Sequence, residues 1–188
     1  RVGELWSRFN AVAVENPHAA VRTPMTPEEI TTPINGNRMV ATPYTRAMMA
    51  NNSVDQASAA LILSVARAEA LGIPRDRWIF PQVGTRAEDP SSPSVRWDLH
   101  RSPGARVAGH RALALAGLGV DDVDHLDLYA CFPASVQVCS TELGIDLDGD
   151  RPLTVTGGLT FAGGPHSNSV GQSLAAMVER LRELPGTG

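Results

Sequence analysis

A glycine-rich stretch near the end of the chain is the strongest sign of chemistry in the sequence. Residues 156–171, called the glycine loop below, hold five glycines and one proline, too many for the interior of a strand or helix. Apolar residues recur at helical spacing from Val170 onward, with Ser167, Asn168 and Ser169 as candidate N-caps. A loop of this kind aims backbone N–H groups at an anion or a polarised oxygen. The alternative is an ordinary connection between two elements.

Three side chains could add reactive groups to this loop. Cys131 ends a predicted strand just before a helix, where a thiolate is placed to act as a nucleophile; the alternative is a small buried strand residue. Tyr129 is either a core aromatic or a phenol that donates to a carbonyl oxygen. His166 is either a polar loop residue or a substrate contact. Cys139 falls on the apolar face of the following helix and is predicted to be core.

Composition excludes several classes of function. The net charge of −4 and the lack of a basic cluster argue against nucleic-acid binding. No apolar run approaches the roughly 20 residues that span a bilayer. Two cysteines eight positions apart suit neither a disulfide scaffold nor zinc, and no histidine or carboxylate spacing indicates a metal. A reduced, cytoplasmic protein is therefore expected.

The elements that must position these residues follow from periodicity and turn signals. The sequence predicts strands over 57–65, 78–83 and 125–132. It predicts helices over 2–16, over 66–71 ending at Gly72, and over 105–118 on the sheet; two more begin at Pro133 and after the glycine loop. Residues 16–43 are rich in proline and read as an extended connector or cap. This order predicts an α/β domain with helices layered on a mixed sheet.

Three stretches in this order resemble the C-terminal half of the thiolase superfamily. They are Asn51-Asn-Ser-Val-Asp55, Asp127-Leu-Tyr-Ala-Cys-Phe132, and Gly157-Gly158 through Gly163-Gly164-Pro165. The second is similar to the thiolase Asn-Glu-Ala-Phe motif, and the third to its Gly-Gly…Gly-His-Pro motif. The resemblance extends over the whole chain. It is greatest to the bacterial acetyl-CoA acetyltransferase branch near the sterol-carrier-protein thiolases and thiolase-like aldolases.

The resemblance implies roles for single residues. Tyr129 stands where thiolases place the Asn or His that holds a water in an oxyanion hole, and Cys131 stands on the family's Ala. Gly164 stands where the family has a histidine, so that imidazole is absent, although His166 follows two residues on. The implied catalytic residues are Tyr129, Cys131 and His166. The implied substrate-binding residues are Gly158, Gly163, Gly164 and Asn168.

The resemblance also implies an organisation and a function. Residues 1–45 would be a connector or cap continuing from an N-terminal half, and residues 46–188 the thiolase-like C-terminal α/β domain. Because the family's acyl-accepting cysteine lies in that other half, the chain is expected to be a piece of a longer protein and inactive alone. The full protein would be an acyl-CoA acyltransferase of Claisen or retro-Claisen type, with a coenzyme A thioester as substrate, no covalent cofactor, and a homodimeric or larger assembly. The alternative is a non-catalytic or retro-aldol homologue that binds acyl-CoA or a partner protein.

Overall fold

The first helix supplies much of the core. In the computed structural model, which describes residues 1–34 and 36–188, α1 spans Val2–Glu15. Its apolar stripe is buried, and the rings of Trp6 and Phe9 stack with centroids 5.1 Å apart. The Trp6 indole N–H donates to the Thr160 hydroxyl at 3.2 Å, which fastens α1 to the glycine loop.

Local capping signals explain where most helices begin and end. α2 (Pro27–Thr31) carries a capping box between Thr26 and Glu29. The Ser64 and Ser102 side chains accept from the first turns of α3 (Val65–Ala70) and α4 (Pro103–Ala116). α5 (Pro133–Leu143) begins at a proline, and both α4 and α5 end before a left-handed glycine. The predicted helices over 2–16, 66–71 and 105–118 and the helix from Pro133 are therefore confirmed.

The end of the chain differs from expectation in one detail. α7 spans Ser169–Glu183, as predicted. The glycine loop before it contains a further short helix, α6 (Gly158–Phe161). Thr160 and Phe161 are buried in this turn. Their packing against α1 stabilises the helical turn although glycine has a low helix propensity.

The three predicted strands do not form ladders in this structure. Residues 57–64, 78–83 and 125–132 have no regular secondary structure. Within the described residues, strand pairing is limited to β1 (Met39–Ala41) with antiparallel β2 (Tyr44–Thr45), and an isolated bridge between Ile34 and Asn37. A strand depends on a neighbour beside it, and none lies along residues 61 and 62, whose side chains are 77% and 81% exposed.

Helix α4 packs on a helix instead of on a sheet. Its contacts are mainly with α5, and a Cβ at Gly109 would overlap the Leu143 side chain. None of its residues is fully buried. The close approach of α4 to α5 at Gly109 therefore replaces the packing on a sheet that its many small residues suggested.

An ion pair holds the loop before α4 against α5. The Glu142 carboxylate is 1% exposed and accepts from Arg101 Nε at 2.7 Å and from the Ser102 N–H at 2.8 Å. These two donors lower the pKa of Glu142 to about 2. The charge is thereby kept although its side chain is covered by protein.

The connector joins the same core as the helices that follow. Ile30 of α2 is fully buried, and it belongs to one apolar cluster with Phe9, Val136 and Phe161. No helix in the described part of the chain is both long and apolar enough to cross a bilayer.

Candidate functional site

The Asp127 carboxylate joins the two main motif segments. Its Oδ1 accepts from the Thr154 hydroxyl at 2.7 Å, from the Val155 N–H at 3.0 Å and from the Thr156 hydroxyl at 3.1 Å. One oxygen thus fixes the residues that lead into the glycine loop beside the segment that carries Tyr129 and Cys131. The two motif segments are therefore adjacent in the fold.

The backbone around Asn51 brings the third motif to the same place. The Ala50 N–H donates to the Cys131 carbonyl at 2.8 Å, and the Asn51 N–H donates to the Leu159 carbonyl at 2.9 Å. In return, the Asn51 carbonyl accepts from the Gly164 N–H at 2.9 Å. Ala50 and Asn51 are therefore bonded to two segments that lie about 80 and about 110 positions further along the sequence.

The Cys131 thiol is half-buried and lies against Ser135. Its Sγ is 3.5 Å from the Ser135 hydroxyl, which also contacts the carbonyls of Tyr129 and Phe132 at 3.0 and 2.7 Å. Ser135 therefore closes the turn between the motif segment and α5. The Tyr129 side chain is 58% exposed, so it is not the core aromatic that the sequence left open.

Two backbone amides that were expected to face a ligand are used inside the protein. The Gly164 N–H is bonded to Asn51, and the Gly158 N–H donates to the Thr156 hydroxyl at 3.1 Å. Gly163 and Gly164 are both buried. The loop consequently holds its own shape with donors that sequence analysis assigned to the substrate.

His166 is exposed and has a left-handed backbone, with φ +47°. Its N–H donates to the Gly164 carbonyl at 2.7 Å, across Pro165. Left-handed φ is unfavourable for residues with a Cβ. Its presence indicates that the surrounding loop imposes the conformation.

Asn168 occupies the N-cap position of α7 without capping it. Its side chain instead bonds with Ser58, and its Nδ2 donates to the Gln56 carbonyl at 3.2 Å. Cys139 packs at the edge of the core as predicted, and burial raises the pKa of its thiol.

A cavity of about 410 Å³ borders the glycine loop, and Cys131 is not among its lining residues. It is bounded by residues 56–59, by the end of α1 and by α7, with Thr156 and Ala162 from the loop. None of Tyr129, Cys131 and His166 lines it. The candidate site is therefore the convergence around Asn51 and the exposed Tyr129 and His166, and not this cavity.

Gln56, Ser58, Ser135 and Asn51 hold the motif segments together, although the sequence pattern predicted no role for any of them. One indication of these roles is present in the sequence, since a largely polar run, residues 51–58, comes just before an apolar one. The partners of Gln56 and Ser58 lie up to 112 positions away, and local patterns carry no information about such pairs. Ser135, by contrast, bonds to carbonyls within six positions.

Comparisons with known proteins find thiolase-like relatives of this chain. No family model matches the chain. It is 26% identical to a 3-ketoacyl-CoA thiolase of Shewanella denitrificans, over 98% of the chain and 46% of that protein. It is 32% identical to a 3-ketoacyl-CoA thiolase of Aliivibrio fischeri, over 68% of the chain and 30% of that protein. A crystal structure of a monomeric SCP2-thiolase-like protein type 1 from Mycobacterium smegmatis superposes with a TM-score of 0.87 at 34% identity, covering 99% of the chain and 41% of that structure.

The chain therefore belongs to the thiolase superfamily and corresponds to its C-terminal part. The predicted family and thiolase-like fold are confirmed. The chain spans less than half the length of the relatives it matches.

Proposed function

We propose that this chain forms one wall of the active site of a thiolase-like protein that handles acyl-CoA thioesters, with acyl transfer by Claisen or retro-Claisen chemistry as the reaction. The convergence of three motif segments on Ala50 and Asn51 carries this proposal. The names of the curated relatives, both 3-ketoacyl-CoA thiolases, support the substrate class.

We assign the contacts with the thioester to Tyr129 and His166, whose side chains are both exposed. The exposed Tyr129 phenol can donate to the carbonyl oxygen, which stabilises negative charge as it develops there. His166 can exchange a proton with the substrate from its position in the glycine loop. In this proposal, Cys131 lines the site behind Tyr129, and Ser135 fixes the turn that carries both.

One observation favours the second candidate, a retro-aldol or non-catalytic homologue. Position 164 has no side chain to activate a thiol, and its N–H is bonded to Asn51. Carbonyl polarisation by Tyr129 would survive this loss, whereas activation of a nucleophilic cysteine would not. Thiolysis consumes free coenzyme A, but retro-aldol cleavage of a β-hydroxyacyl thioester does not, so coenzyme A consumption separates the two reactions.

Acetyl-CoA binding to the 188-residue chain, measured by calorimetry, tests the site. We expect Tyr129→Phe to weaken binding by roughly threefold to tenfold, the effect of one hydrogen bond. Tyr44→Phe removes the same atom from the other tyrosine and is the matched control; Cys139→Ser should also be silent. Equal affinities for wild type and Tyr129→Phe would contradict the assignment. Acetoacetyl-CoA cleavage that disappears in Cys131→Ala would make Cys131 a nucleophile instead.

A further inference from the structure

The Gln56 side chain fastens the glycine loop to the start of the chain. Its Nε2 donates to the Ala162 carbonyl at 2.8 Å and to the His18 carbonyl at 3.0 Å. Two carbonyl acceptors on one side fix the orientation of the carboxamide, because the flipped amide would set oxygen against oxygen. Gln56 is thus oriented by two segments that are far apart in sequence.

The oxygen of the same carboxamide explains why position 163 is a glycine. Gln56 Oε1 is buried, without a hydrogen-bond partner among the described residues, and lies against Gly163. A Cβ at position 163 would overlap that oxygen, and φ there is +123°. Both the contact and the backbone angle therefore require glycine.

Ser58 and Asn168 repeat this arrangement at the far end of the loop. The Ser58 hydroxyl bonds with Asn168 Oδ1, and Asn168 Nδ2 donates to the Gln56 carbonyl at 3.2 Å. A Cβ at Gly171 would overlap the Ser58 hydroxyl. The polar side chains of residues 56 and 58 thus contact the loop at two glycines eight positions apart.

His166 lies between these two contacts. Its left-handed backbone is unfavourable and persists only where neighbouring contacts fix the chain on both sides. Gln56 holds Ala162 and Gly163 before it, and Ser58 holds Asn168 and Gly171 after it.

We propose that Gln56, Ser58 and Asn168 are positioning residues that hold residues 162–171 in the conformation presenting His166 to substrate. Asn168 then acts through the loop rather than by touching substrate. The role of His166 toward substrate rests on the proposed function; the effect of the three residues on the loop does not.

Amide hydrogen exchange tests the effect on the loop. In Gln56→Ala, we expect the amides of Gly164 and His166 to exchange at least about tenfold faster, while the core amides of α1 keep their rates. The isosteric Gln56→Glu should give the same result, because it sets an acceptor against the two carbonyls. Gln82→Ala, an exposed glutamine, is the matched control and should change nothing. Unchanged loop rates, or an equal increase in α1, would overturn the proposal.

Ser58→Ala provides a milder variant if Gln56→Ala does not fold, with Ser92→Ala as its exposed control. We expect faster exchange of the same two amides, and unchanged rates would again overturn the proposal.

Acetyl-CoA affinity separates this inference from the proposed function. If wild type binds acetyl-CoA, Gln56→Ala and Ser58→Ala should weaken binding by about threefold or more; a loop that loosens without any loss of affinity would overturn the positioning role. If wild type does not bind, the proposed function fails together with the role toward substrate. In that case the exchange rates still decide whether the three residues fix the loop.

Discussion

The buried carboxylate of Glu142 shows how one charge can join two distant segments. Its partners Arg101 and Ser102 belong to the loop before α4, and the carboxylate itself lies near the end of α5. Since both donors favour the ionised form, the pKa of Glu142 falls from an ordinary 4.5 to about 2. The loop is therefore attached most firmly when this group is charged.

This pKa shift predicts an acid-sensitive contribution to stability. A depressed pKa stabilises the folded state fully above the unfolded value near 4.5, and the contribution is lost as pH falls toward 2. Glu142→Gln should be less stable than wild type at pH 7, and the difference should shrink between about pH 5 and pH 2. Urea midpoints measured across this range check the prediction. Glu69→Gln, which removes an exposed ion pair with Arg75, is the control; an unchanged pH profile for Glu142→Gln would contradict the assignment.

The sequence predicted where single residues lie better than it predicted their hydrogen-bond partners. Cys139 was correctly assigned to the core by its helical position, and the glycine loop was identified by composition alone. The bond from Gly164 to Asn51 and the network of Asn168 with Gln56 and Ser58 were not predicted. Each of these pairs joins residues more than 100 positions apart, so only the folded chain reveals them.

The helices were predicted correctly because nearby residues determine them, whereas the strands depend on partners that are distant in sequence. The helices follow from capping residues, prolines at the first turn and glycines at the end, all of which act within a few positions. The ladders expected over 57–65, 78–83 and 125–132 need partners elsewhere in the fold. An apolar run such as residues 57–65, which leads into α3, favours an extended or helical backbone but does not specify the strand that would pair with it.

The junction between α1 and α6 predicts a strict requirement for glycine at position 157. Its φ is +100°, and a Cβ there would overlap Ala13 of α1. Gly144, with φ +72° and open space around it, isolates the backbone effect. We expect Gly144→Ala to cost about 1–2 kcal/mol, and Gly157→Ala to cost a further ~1–3 kcal/mol from the overlap. Urea denaturation of both variants measures the difference; equal losses would show that α1 yields at this contact.

At the scale of the molecule, one apolar core is combined with unusually open edges. The core joins α1, α2, α5 and the glycine loop. By contrast, Leu61 and Ile62 project into solvent from a segment whose backbone lacks regular pairing. Unpaired backbone beside apolar side chains is the arrangement that recruits another strand.

We therefore expect the chain to self-associate in a concentration-dependent way through residues 61 and 62. The double variant Leu61→Ser with Ile62→Ser should lower both the mass measured by light scattering and the binding of an apolar dye. Val107→Ser with Leu115→Ser removes similarly exposed side chains from α4, where the backbone is already paired. Equal effects of the two double variants would mean that apolar area alone drives association. A monodisperse wild type without dye binding would contradict the prediction.

The three tryptophans give the protein a built-in optical readout. Trp97 is 98% exposed and Trp78 is half-buried, whereas Trp6 is 1% exposed and hydrogen-bonded to Thr160. Indole emission shifts to longer wavelength when water reaches the ring, so Trp6 should emit at short wavelength and resist quenching by iodide. Replacing Trp78 and Trp97 by phenylalanine would leave Trp6 as the single indole, which can be excited at wavelengths that tyrosine does not absorb. The emission wavelength of Trp6 would then report, in real time, the entry of solvent between the first helix and the glycine loop.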